Sequence, residues 1–170
     1  MIFDAVEHAW SLTSDNFAAD MQALRALYNL PEMAVTATII KRQRTEISLA
    51  LGKAPPLLGI VAVGARTNAK DQGKRDTQVR VEWDYYAEGV ETAAPLLAKQ
   101  VELACEAVLL TVDRIAGSGL LVFGGGELPG DVSIELSEGI EEKGTDATGT
   151  RLYWRRALIG ATVWDRDNVI

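Results

Sequence analysis

The sequence predicts an α+β fold in which a mostly antiparallel sheet of about four to six strands carries a long helix at about 93–116 and an N-terminal helix packed on it. Three stretches predict this. Thr77 to Tyr86 alternates apolar and polar residues with period two, as a half-covered strand does. Ala93 to Ala116 repeats its apolar residues at helical spacing over many turns. Arg151 to Trp164 returns to period two with apolar residues on both sides, the pattern of a strand that is central or covered by a partner. A chain of 170 residues suits one domain, 1–170, which buries about 70% of the surface its unfolded form exposes.

The first segment reads as helix. Ser14 or Asp15 suits an N-cap, and Phe17, Met21, Leu24 and Tyr28 then define one apolar face. Met1 to Leu12 reads as a separate short helix with Phe3, Val6 and Trp10 on one side. Leu30-Pro31 ends the helical run, because a residue before proline avoids helical geometry. Met33 to Lys41 alternates and suits a strand. Arg44 to Leu51 is ambiguous between a helical turn and more strand, and Pro55-Pro56 is a break.

Leu57 to Ala65 is a short, nearly continuous apolar run, consistent with a buried strand. Arg66 to Asp76 is polar and mixed in charge and reads as a long connection. In the strand that follows, Val79, Val81, Trp83 and Tyr85 point to the covered face, and Gln78, Arg80, Glu82 and Asp84 to a wet or partner-bound one. The long helix can be capped by Thr92, tolerates Pro95 in its first turn, and meets Gly117 at its end. Its stripe is Leu97, Val101, Ala104, Val108, Val112 and Ile115. Gly124 to Gly126 and Pro129-Gly130 bracket a turn region, Val132 to Leu136 alternates as a strand, and Ile140 to Thr150 reads as a loop or tip. In the last strand Tyr153, Ala157, Ile159 and Val163 share one side, and Leu152, Trp154, Leu158 and Trp164 the other.

The formal charge of −7 argues against sequence-independent nucleic-acid binding, which needs cations against phosphates, and against docking on an anionic membrane. The N-terminus lacks the basic start of a secretory signal, and no uncharged apolar stretch reaches the ~18 residues of a membrane span. With one cysteine, Cys105, no intramolecular disulfide can form.

Catalytic signals are scarce. His8 is the only histidine and Cys105 lies mid-helix among apolar neighbours, so zinc would find two N or S ligands in the whole chain. The glycines at 117–126 match neither a P-loop nor a dinucleotide-binding spacing. Carboxylates abound, Glu82 with Asp84 and Asp165 with Asp167 among them, but no spacing picks out an acid–base pair or a calcium loop. The residues thus point to no catalytic site, no cofactor, no metal and no enzyme. Four tryptophans remain, and Trp154 among Arg151, Arg155 and Arg156 has the composition of an interface hot spot. On that basis Trp154→Ala, or charge reversal at Arg155 and Arg156, is expected to impair assembly more than folding.

From Leu57 to Trp164, about two thirds of the chain, the sequence resembles the tail terminator (tail-completion or neck) proteins of long-tailed bacteriophages. The likeness is carried by L-L-G-I-V-A-V-G, the polar excursion Arg66 to Asp76, V-R-V-E-W-D-Y-Y, the helix Ala93 to Ala116, and R-L-Y-W-R-R-A-L-I-G-A-T-V. The resemblance implies a structural virion protein made in the host cytoplasm that forms a hexameric ring in the tail-neck region. The ring caps the tail tube and joins it to the head–tail connector, so the partners implied are other copies of the chain, the tail tube protein and the connector or stopper protein, with no specific nucleic acid and no membrane. Trp154, Arg155 and Arg156, with Arg66, Lys70, Lys74 and Arg75 in the polar excursion, are the interface residues expected on that reading. A different head-completion connector and a small-ligand or enzymatic α+β domain are the competing readings.

Overall fold

The structure is a computed structural model that describes residues 2–69, 75–90, 93–117, 121–123, 132–142 and 151–167. The elements run α1 (Ile2–Leu27), β1 (Thr38–Lys41), α2 (Thr45–Ala50), β2 (Leu57–Ala69), β3 (Arg75–Val90), α3 (Ala94–Gly117), β4 (Leu121–Phe123), β5 (Val132–Glu142) and β6 (Arg151–Asp167). The six strands form one sheet in the order β1-β2-β3-β6, with β4 and β5 sharing the far side of β6. Only the β1–β2 pair is parallel, so the expected mostly antiparallel α+β architecture is the observed one.

Both long helices cover the same face of the sheet. Val79, Val81, Trp83 and Tyr85 of β3 and Ala157, Ile159, Ala161 and Val163 of β6 meet Leu97, Val101, Ala104, Val108 and Ile115 of α3 and Phe17 and Met21 of α1 in one buried cluster. Several polar atoms within this layer are paired, whereas Thr111 Oγ1 of α3 is buried with no hydrogen-bond partner. Trp83 Nε1 donates to Thr13 Oγ1 at 3.0 Å, and Gln100 Nε2 donates to the Tyr85 hydroxyl at 2.8 Å. Arg114 grips Asp20 across the two helices, with Nη2 2.8 Å from Oδ1.

The N-terminal segment differs from its expectation in one respect: α1 is continuous, with no cap at Ser14 or Asp15. The buried stripe Ala5, Ala9, Phe17 and Met21 runs through Thr13, which keeps the period although it is polar. Thr13 and Asn16 bond back to the carbonyls of Ala9 and Leu12, at 2.6 and 2.8 Å, so they are accommodated inside the helix. The helix ends as expected near Pro31. Asn29 adopts φ 51° while Leu30 N–H bonds Arg25 C=O and Asn29 N–H bonds Ala26 C=O, the paired closure of a left-handed C-terminal residue.

Other bounds shift. Only Thr38–Lys41 of the alternating run from Met33 finds a strand partner, because β2 begins opposite Thr38. The ambiguous stretch 44–51 contains helix α2. Much of the expected connection at 66–76 is strand: β2 continues to Ala69 and β3 starts at Arg75, while 70–74 lie outside the described residues. Likewise β5 runs on through Ile140 to Glu142, opposite Tyr153 to Arg151, so that end of the expected loop is paired backbone. Residues 143–150, the glycine stretch 124–126 and Thr92 lie outside the described residues. Strand β4, with three residues, was below what periodicity can detect.

Gly59 marks the closest approach of backbone to the sheet. A Cβ there would run into the Gln43 carbonyl oxygen, main chain that cannot rotate aside. Gly59→Ala is therefore expected to lower stability by about 1–3 kcal/mol through overpacking, read as a lower urea midpoint with an unchanged m-value.

Candidate functional site

Trp154, Arg155 and Arg156 are consecutive on β6, so the pleat sends Arg155 to the helix face and the other two to the opposite face. Their environments differ sharply. Arg156 is turned inward. Its Nε lies 2.7 Å from Asp84 Oδ1 and its Nη2 2.9 Å from Oδ2, a two-pronged grip on a fully buried carboxylate. The backbone N–H and the hydroxyl of Thr45 both donate to the same Oδ2 at 3.0 Å, and Glu46 accepts from Arg156 Nη1. Asp84 thus receives four hydrogen bonds and supplies an acceptor to the first turn of α2, whose preceding residue Arg44 provides no side-chain cap. The carboxylate hydrogen bond holds the Arg156 guanidinium charged beyond its already high ordinary value.

Two sequence expectations are corrected here. Asp84 is not on a wet surface, and charge reversal at Arg156 strikes the fold first. Removing one partner of a buried pair leaves the other charge uncompensated, which ordinarily costs several kcal/mol.

Trp154 is half-buried. Its ring stacks on Tyr86, with centroids 6.0 Å apart at 23°, and covers Gly139 of β5, where any Cβ would collide with the indole. Arg155 pairs across the strands with Glu138 at 2.6 Å, and both side chains keep solvent contact. A cleft of about 510 Å³ opens beside them, between Ala94 and Leu97 of α3 and Ile140, Tyr153 and Trp154 of the β5–β6 pair.

The second expected cluster lies elsewhere. Arg66 is exposed on β2, and strand register sets Arg66 beside Gln78 and Gln78 beside residue 164 of β6. Arg66 is therefore about 33 Å along the sheet from Trp154, and the two clusters do not form one site. The backbone of Arg75 pairs with Ala69 and Asp167, and Lys70 and Lys74 lie outside the described residues.

What sequence reasoning missed is the exposure on β5. Ile134, Leu136 and Ile140 share the helix-side face and are exposed by 47%, 56% and 55%. The alternation of Ile134 and Leu136 is visible in the sequence and Ile140 reads there as loop, but only the register against β6 puts the three on one face that α3 stops short of covering. A second uncovered region lies at the other margin of the sheet, along β2. Ile47 and Val63 are exposed beside a groove of about 560 Å³ that also contacts Arg42, Arg44 and Val61.

The remaining chemical candidates are embedded in the fold. Burial, reinforced by Glu102 and Glu106, pushes the Cys105 thiol up to about 11, so it is protonated at neutral pH. His8 Nε2 is buried and makes no hydrogen bond. Among the described residues no group of three or more His, Cys, Asp or Glu is placed to hold a metal ion, and no helix is long and apolar enough to cross a membrane. No protein-family model matches the chain, and no curated protein matches it at a significant level.

Two outcomes follow from this geometry. Arg156→Ala should lower unfolding free energy by about 3–5 kcal/mol, whereas Arg155→Ala, at a partly exposed pair, should change it by less than about 1 kcal/mol; urea titration of both variants separates them. Alkaline pH should weaken the fold. The Cys105 thiol and the Tyr85 phenol, the latter pushed up to about 12 chiefly by burial, are both favoured in their neutral forms when folded. Their stabilisation is complete below about pH 9 and is lost as pH rises through each folded value. The melting temperature should accordingly fall from about pH 9 upward, and Cys105→Ala should flatten the first part of that fall.

Proposed function

We propose that the protein is a structural subunit that assembles with copies of itself into a ring at the end of a long phage tail. The ring caps the tail tube and joins it to the head–tail connector, and the chain acts through its surfaces rather than by turnover. The observation that carries the assembly part is the pair of uncovered apolar regions at opposite margins of one sheet, Ile134, Leu136 and Ile140 on β5 and Ile47 and Val63 beside β2. Two different patches on one subunit are what head-to-tail ring closure requires. The order of elements from Leu57 to Trp164, with its resemblance to tail terminators, supports the phage setting. The net charge of −7 supports it as well, since a ring around passing DNA works best when it does not grip phosphates.

Sedimentation velocity over a wide concentration range, with negative-stain imaging of the same samples, tests the reading. A closed hexameric ring is expected, alone or on added tail tubes. A strict monomer that never decorates tube ends would reject it, and labelled protein found on the head vertex but not on tails would move the chain to a head-completion role.

A further inference from the structure

The face of the sheet opposite the long helices is acidic at one end. There Trp154 of β6 lies in one row between Glu88 of β3 and Gly139 of β5, and the next row sets Glu141 of β5 beside Leu152. Residues opposite one another on paired strands share a face, so Trp154, Glu88 and Glu141 belong to one surface. The arginines nearby are engaged elsewhere. Arg156 is held by Asp84 and Glu46, and Arg155 meets Glu138 on the helix face. Glu141 is exposed and, among the described residues, has no hydrogen-bond or ion-pair partner. Its charge is felt at the Tyr86–Trp154 stack: burial first, then Glu88 and Glu141, push the Tyr86 hydroxyl above its ordinary value.

The other end of the same face presents a cation. Beyond the register shift between Ala62 and Gly64, β2 is exposed from Ala62 to Arg66. Arg66 lies opposite Gln78, and Gln78 opposite residue 164. That register puts Arg66 on the face that carries Trp154, about 33 Å away along the strands. Arg66 is exposed and, among the described residues, makes no hydrogen bond or ion pair. A single chain thus holds an unpaired guanidinium and an unpaired carboxylate beside a half-buried indole, too far apart to meet.

We infer that Arg66 of one copy docks on Trp154 of the next, with its guanidinium over the indole and a salt bridge to Glu141. The two ends are complementary in charge, and arginine over tryptophan is a favoured pairing of cation and ring. Because they lie at opposite ends of one face, the contact is head to tail. Each added copy keeps one end of each kind free until a ring closes. Contact between identical ends would set Arg66 against Arg66 or Glu141 against Glu141, and such like-charge contacts disfavour a two-fold dimer. The inference rests on the self-assembling reading above and names the contact that orders the copies.

Charge reversal tests it by sedimentation velocity, with imaging on added tail tubes where the chain closes only there. Arg66→Glu alone and Glu141→Arg alone should each weaken association about tenfold or more. Melting temperatures should hold, because both side chains are exposed. Mixing the two variants should restore assembly, since each then meets the matching charge of the other at both of its ends. The double variant should recover as well. The milder Arg66→Gln and Glu141→Gln should also lose association, and they serve where a reversal disturbs the fold. Single variants that assemble like the unaltered chain, or reversed variants that do not recover on mixing, would overturn the contact and leave the ring standing. An unaltered chain that stays monomeric and leaves tube ends bare would overturn both.

Discussion

A fully buried carboxylate has to be fully satisfied, and Asp84 is satisfied only when three separate elements converge on it. β3 supplies the carboxylate, β6 supplies Arg156, and α2 supplies the N–H and hydroxyl of Thr45. Losing any one leaves an unpaired charge or donor where water does not reach, so the three are held in one arrangement. That arrangement holds α2 against β2 and β3 on the face opposite the long helices, and gives the otherwise uncapped α2 its tertiary cap.

The position of α2 in turn shapes the sheet margin. The chain must leave β1 at Arg42 to reach Thr45 over Asp84, so β1 is short and β2 outruns it. At the other side, β6 is long enough to carry both β4 and β5, and α3 lies too far inward to cover the second of these. The two uncovered margins therefore follow from lengths and offsets of strands rather than from loops. The β5 residues are presented by paired backbone, whereas Val63 sits at the register shift of β2 and Ile47 on α2.

The composition of β5 is unusual for an edge strand. Its exposed isoleucines and leucine are a liability in a monomer and an asset in a subunit, because apolar area in a strand edge becomes core once a partner strand arrives. The glutamates beside them would face one another if two copies of the strand paired, which is unfavourable across strands.

Much was legible in the sequence because it depends on local period. The alternation of Val79, Val81, Trp83 and Tyr85, the stripe of α3, and the division of β6 into two sides can be read from spacing alone, since side-chain direction follows backbone geometry. What spacing cannot carry is partnership. Asp84 has the same alternation as Glu82, yet it is fully buried under Thr45 of α2 while Glu82 is half-buried and taken by Arg44 just before that helix. Trp154, Arg155 and Arg156 look alike as a cluster, yet one stacks on Tyr86, one pairs at the surface and one is turned inward. Ile134 and Leu136 have a core strand's pattern and an exposed position. The sequence by itself determined which residues share a face; tertiary structure decided which faces are covered, because coverage depends on contacts between segments far apart in the chain.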